Sequence, residues 1–183
     1  MYIKKSILIG VLCLLVLPFA ALAQTAGGTT ISNVASYSYR DSANNNHTGT
    51  SNQVDVVVAK VGGLTITPDA QTTANLVPNQ TVVLPFAVTN TSNFAQSVVF
   101  PASGAGISVS GTVTVTRAVI DTNTNGSIDA ADTDIRSNAA AVTSASIAAN
   151  STFLVLVEIQ ATAAATPGAA VVVNLGDTTT NAP

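Results

Sequence analysis

Beyond the first two dozen residues, apolar side chains in this chain recur at every second position in short runs, and no segment sustains an apolar period near 3.6. Successive side chains of a strand point to opposite faces, so this pattern specifies strands buried on one side. Residues 29–39, TTISNVASYSY, put Ala35, Tyr37 and Tyr39 on one face and Val34, Ser36 and Ser38 on the other. Residues 41–49, DSANNNHTG, are turn chemistry. Residues 50–61 then resume with Val54, Val56 and Val58 against Asp55, Val57 and Ala59. These two runs predict a β-hairpin.

Gly62-Gly63 interrupts the pattern, and a short strand follows at residues 64–67. The run 81–89, TVVLPFAVT, contains Pro85, which has no N–H to give a ladder, so it predicts an edge strand or a bulge. A polar turn at 90–93 (NTSN) predicts a second hairpin with residues 94–100. Residues 107–120 alternate with a phase change near Gly111, where a bulge is expected. Residues 139–149 are weakly patterned, with room for a turn or two of helix, before strands at 151–162 and 169–175. About eight short strands separated by Gly, Pro and Asn turns predict an all-β, antiparallel sandwich. Tyr37, Tyr39, Phe86, Phe94, Phe100 and Phe153 are its aromatic core candidates.

Residues 1–23 read as an export signal. Lys4 and Lys5 precede an apolar run at 7–20, and Ala21-Leu22-Ala23 is a small-x-small cleavage pattern. The run is shorter than the ~20 residues a membrane-spanning helix needs, so no stable membrane insertion is expected after cleavage. The expected division is a cleaved signal at 1–23, a hairpin arm at 24–61 and a sandwich domain at 62–183. Cys13, the only cysteine, lies in the signal, leaving the exported chain without disulfides. Removing Lys4 and Lys5 leaves four basic residues against nine acidic ones. The four lie far apart, which argues against nucleic acid or anionic lipid as partner.

One segment carries chemistry. Residues 121–132, DTNTNGSIDAAD, put Asp121, Asn123, Asn125, Asp129 and Asp132 at loop positions 1, 3, 5, 9 and 12, with Gly126 at position 6. This is the spacing of an EF-hand-type calcium loop, with Asp132 in place of the usual bidentate Glu. Calcium takes six to eight hard oxygens, alternate residues of a tight loop turn inward, and Ser127 can offer its backbone carbonyl. Ile128 can anchor the loop to the core. The flanking pattern is β, so calcium is expected as a clip between strands rather than as the trigger of a sensor. An acidic, Asn-rich turn that binds nothing is the alternative.

Catalytic candidates are few. His47, the only histidine, sits in a polar turn, and Glu158 lies in an apolar strand with no acid partner nearby in sequence. No enzymatic activity is expected.

The succession TTISNVASYSYRD, GTSNQVDVVVAKVGGLTITPD, PNQTVVLPFAVTNTSNFAQSVVF, VTRAVIDTNTNGSIDAADT and SASIAANSTFLVLVEIQATAAATPGAAVVVNL resembles the DUF11-like conserved repeat domain of bacterial surface and cell-wall proteins. The resemblance runs from about Thr29 to Leu175. It implies an immunoglobulin-like sandwich, an extracellular or cell-surface place and a structural or adhesive role. Of functional positions it carries over only Asp121, Asn123, Asn125, Asp129 and Asp132. The expected function is a secreted structural subunit that associates with itself or with other cell-envelope proteins, the hairpin arm adding to a neighbour's sheet edge. The alternative is a soluble module binding a carbohydrate or a protein, for which Tyr37 and Tyr39 are the only plausible aromatic platform. Their alternation suggests that they point inward.

Overall fold

The computed structural model describes residues 25–176, so the expected export signal lies outside the described residues. Four strands form the arm: β1 (Thr30–Asn33), β2 (Ser36–Arg40), β3 (Asn46–Thr50) and β4 (Val54–Val57). Ten more form the body: β5 (Leu64–Thr67), β6 (Ala70–Thr73), β7 (Thr81–Asn90), β8 (Val99–Phe100), β9 (Ile107–Ser110), β10 (Val113–Ile120), β11 (Thr133–Asp134), β12 (Val142–Thr143), β13 (Thr152–Ala161) and β14 (Val171–Leu175). The chain is all-β, every pairing is antiparallel, and among the described residues the only helical turn is the 3-10 segment Ala102–Gly104.

The body is sandwich-like. A five-stranded sheet runs β11-β10-β13-β7-β5, a three-stranded sheet runs β6-β14-β9, and β8 pairs with β12. One apolar cluster joins them: Phe86 and Val88 of β7, Val155, Val157 and Ile159 of β13, and Val171, Val173 and Leu175 of β14. β-Branched side chains fit such a half-covered pleated surface, and their burial, not a bridge between sulfurs, holds the two layers together.

Several local expectations are corrected. Pro85 does not make β7 an edge strand, because β13 and β5 flank it. β5 pairs only with residues 87–90 of β7, so Pro85 lies past its end and its missing N–H breaks no ladder. The expected hairpin at 94–100 does not form. The chain leaves the five-stranded sheet at Asn90, and Val99 and Phe100 pair with Thr143 and Val142 instead. The phase change at Gly111 is a corner, not a bulge. Gly111 has φ +91°, and the strands on either side belong to different sheets. The irregularity in β10 falls instead between Val115 and Arg117. Residues 139–149 hold no helix: they supply β12 and a bridge from Ile147 to Gln96.

The arm is one long hairpin. Thr30↔Val57 to Asn33↔Val54 is its root half, and Ser36↔Thr50 to Arg40↔Asn46 its tip half. The return strand carries one extra residue between the halves, a bulge that keeps facing side chains in phase. Of the aromatic core candidates, Phe86 and Phe100 are buried and Phe94 and Phe153 half-buried. Tyr37 and Tyr39 are not core residues, being 56% and 55% exposed. They alternate as expected, but none of the described residues packs beneath that face.

Candidate metal loop and the exposed arm

Residues 121–132 connect β10 to β11, whose pairing Val119↔Asp134 and Ile120↔Thr133 brings the loop ends together. Asp121 is 2% exposed. Its Oδ1 accepts the Asn125 N–H at 3.2 Å and its Oδ2 the Gly126 N–H at 2.9 Å. Asn123 Oδ1 accepts the Asn125 N–H at 3.2 Å, and Asn125 Oδ1 accepts the Ser127 N–H at 2.7 Å. Asp132 Oδ1 accepts from Thr122 N and its Oδ2 from Asp129 N, at 3.1 and 2.9 Å. Asp121, Asn123 and Asn125 bond backbone two to five residues on and Asp132 reaches back three and ten, which explains how so polar a segment folds. Gly126 takes φ +72°, and Thr124 the same left-handed region at +56°.

Asp129 is the loop's hub. Its Oδ1 accepts the Ala131 N–H at 2.7 Å, and its Oδ2 accepts the side-chain amides of Asn123 and Asn125 at 2.9 and 2.7 Å. The Ala131 N–H, followed by those two amides, holds its carboxyl below the usual range. Ile128, the expected anchor, is half-buried but is not among the side chains packed on the apolar core. The structure therefore brings all six sequence candidates, Asp121, Asn123, Asn125, Ser127, Asp129 and Asp132, into one loop closed by hydrogen bonds. Among the described residues no three carboxylate or imidazole groups converge as a ready-made metal cluster. Asp121 and Asp132 turn to backbone N–H groups, while Asn amides occupy Asp129. Nearby, Asp134 caps its own turn through the Arg136 and Ser137 N–H groups, the latter chiefly lowering its pKa.

Sequence reading passed over the corner at Asn90. There the buried Asn90 side chain donates to the carbonyls of Phe94, Ile147 and Ala148 at 3.0, 2.9 and 3.2 Å. Its Oδ1 accepts the Ser92 N–H at 3.0 Å, the Gln96 amide at 3.1 Å and the Ser92 hydroxyl. Asn93 pins the arm's root to this corner. Its Oδ1 accepts the Val61 N–H and its Nδ2 donates to the Ala59 carbonyl, both at 2.9 Å, while its own carbonyl accepts the Gly27 N–H at 2.8 Å. Lys60 adds its ammonium 5.4 Å above the Phe94 ring. A motif read as a plain turn, NTSN, is thus a buried polar joint.

Register sorts the arm's side chains. Cross-strand partners share a face, so Ile31, Asn33, Ala35, Tyr37 and Tyr39 lie with Val56, Val54, Gly49 and His47. Ile31 is 53% exposed, Val54 62% and Val56 59%. Tyr37 lies across Gly49, where even a methyl group would meet its ring. Tyr37, Tyr39 and His47 stack in a row, centroids 6.3 and 5.0 Å apart. The other face is polar apart from Val34 and Val57: Ser32, Ser36 and Ser38 face Asp55, Thr50 and Thr48. At the tip, Asp41 Oδ2 lies 3.0 Å from His47 Nε2. That bond, then those from Asn45, lower the Asp41 pKa from 3.8 to about 2. His47 serves the tip as an exposed partner. Glu158, half-buried in β13, accepts the Thr116 hydroxyl at 2.6 Å and sits opposite Arg117.

No helix among the described residues is long and apolar enough to cross a membrane. Comparison with models of known protein families, with curated proteins and with solved structures returns no match.

Proposed function

We propose that this chain is an exported, non-enzymatic structural protein of the cell surface, an immunoglobulin-like sandwich that assembles with copies of itself, with other envelope proteins as further partners. The observation that carries this reading is the arm: a two-stranded ribbon with one apolar, aromatic face, hydrogen-bonded at its root to the body and, among the described residues, exposed. A lone two-stranded hairpin is marginal in water, and a contiguous exposed apolar strip marks an interaction surface. The resemblance to DUF11-like surface domains supports the same place and role.

Calcium completes the proposal as a stabiliser. Asp121, Asn123, Asn125, Asp129 and Asp132, with the Ser127 carbonyl, would hold it, and the donor set suits a hard cation. It would supply charge neutralisation among three carboxylates and lock the β10–β11 connection. Without it Asp129 is held by the Ala131 N–H and the two Asn amides.

Size-exclusion chromatography with light scattering tests the assembly reading, with full chain over a concentration series, in calcium and in chelator. Oligomers that are lost in Val54→Asp/Val56→Asp are expected. Monomers at every concentration overturn it. A second reading, carbohydrate or protein binding, is favoured by one observation, the exposed Tyr37–Tyr39–His47 row. A glycan-array signal abolished by Tyr37→Ala would promote it.

A further inference from the structure

The body has an open side. β5 ends the five-stranded sheet, and among the described residues nothing pairs with its outer edge. Its Leu64 and Ile66 line a cleft of about 160 Å³ together with Val99, Phe100, Ile107 and Ile135. The cleft's lining holds no ionisable side chain. A strand added to β5 would send alternate residues into this cleft and the others to solvent.

The arm has that pattern, apolar on one face and polar on the other, and its apolar face has His47 as its only titratable group besides the two tyrosines. Asn93 and Lys60 tie its root at the body's surface, and among the described residues Ile31, Tyr37, Tyr39, Val54 and Val56 of its apolar face stay exposed. Resting on the assembly reading, we infer that the arm of one copy pairs with the β5 edge of a second copy and sets Ile31, Val54 and Val56 into that copy's cleft. Ile31, Val54 and Val56 are each more than half exposed, so the contact covers apolar side chains that the described residues of their own copy leave open, and ladder bonds to β5 add to it. Neither surface carries a charge that must be desolvated. One arm and one cleft per chain make the contact head-to-tail, so it propagates as a filament or closes as a ring.

Cysteine cross-linking in a Cys13→Ser full chain tests this geometry. Ile31→Cys, Val54→Cys and Val56→Cys variants are each treated with a short bismaleimide, alone and mixed with Val99→Cys. Covalent dimers are expected in the mixtures and not with any arm variant alone. Dimers from an arm variant alone mean arm-to-arm packing and overturn the inference. So does assembly seen by light scattering with no cross-link at any of the three positions, while leaving the assembly reading in place. Monomers throughout overturn both.

Discussion

Replacing Asn90 with Ala removes the buried polar joint of the corner to which Asn93 ties the arm root, and its cost follows from what each lost partner has left. The Ile147 carbonyl still accepts from Gln96 N at 3.0 Å, the Ala148 carbonyl from Ser151 N at 3.1 Å, and the Phe94 carbonyl from the Ser92 hydroxyl at 2.6 Å. The Ser92 N–H, 1% exposed, keeps no partner. One orphaned buried donor costs about 1–3 kcal/mol, and the remaining lost bonds bring the total to about 2–4 kcal/mol. For a chain this size that lowers Tm by about 4–16 °C. Asn90→Asp keeps the acceptor but turns a charge toward three carbonyls, so it destabilises more at neutral pH than at pH 4. Urea unfolding at both pH values reads the two effects. A loss under about 0.5 kcal/mol in Asn90→Ala, the range of ordinary surface changes, refutes the assignment of the joint.

Saturating calcium, at about 100 times its dissociation constant, is expected to stabilise the chain by about 2.7 kcal/mol. Asp121→Ala should abolish that gain, read as a Tm difference between calcium and chelator; an equal gain in the variant contradicts the ligand set. Because the Asp41 pKa is depressed in the folded tip to about 2 from 3.8, its contribution is full above pH 4 and fades as pH falls toward 2. The Ala43 and Asn45 amide signals should therefore shift in that window, and His47→Ala should move the midpoint up toward 3.8; an unmoved midpoint removes His47 as the main cause. Gly49→Ala should displace the Tyr37 ring, lost as its contact to Tyr39 in nuclear Overhauser spectra, with the body's stability unchanged within about 0.5 kcal/mol.

Period-two alternation made the strand content legible, and it also located the arm, since residues 29–61 read as a hairpin before any sheet was known. That residues 121–132 close into a tight loop was legible because Asx spacing is a local rule, each short side chain bonding backbone a few residues away. What alternation cannot encode is which face finds a partner. Tyr37 and Tyr39 alternate like core residues yet lie on a ribbon with no second layer. Nor can it tell a bulge from a corner at Gly111, since both need one residue out of phase. The Asn90 joint escaped notice because Asn-Thr-Ser-Asn is equally apt for a solvated turn, and its burial is decided by Ile147 and Ala148, more than fifty residues away. Pro85 misled for a related reason: its tolerance depends on where β5 stops.

Amide hydrogen exchange of the arm as a function of protein concentration tests the account most directly. If a second copy covers the arm, the amides of Ile31, Tyr37 and Val56 gain protection as concentration rises, while those of Val155 and Val157 in β13 do not change. Arm protection that stays the same from dilute to concentrated solution would contradict it.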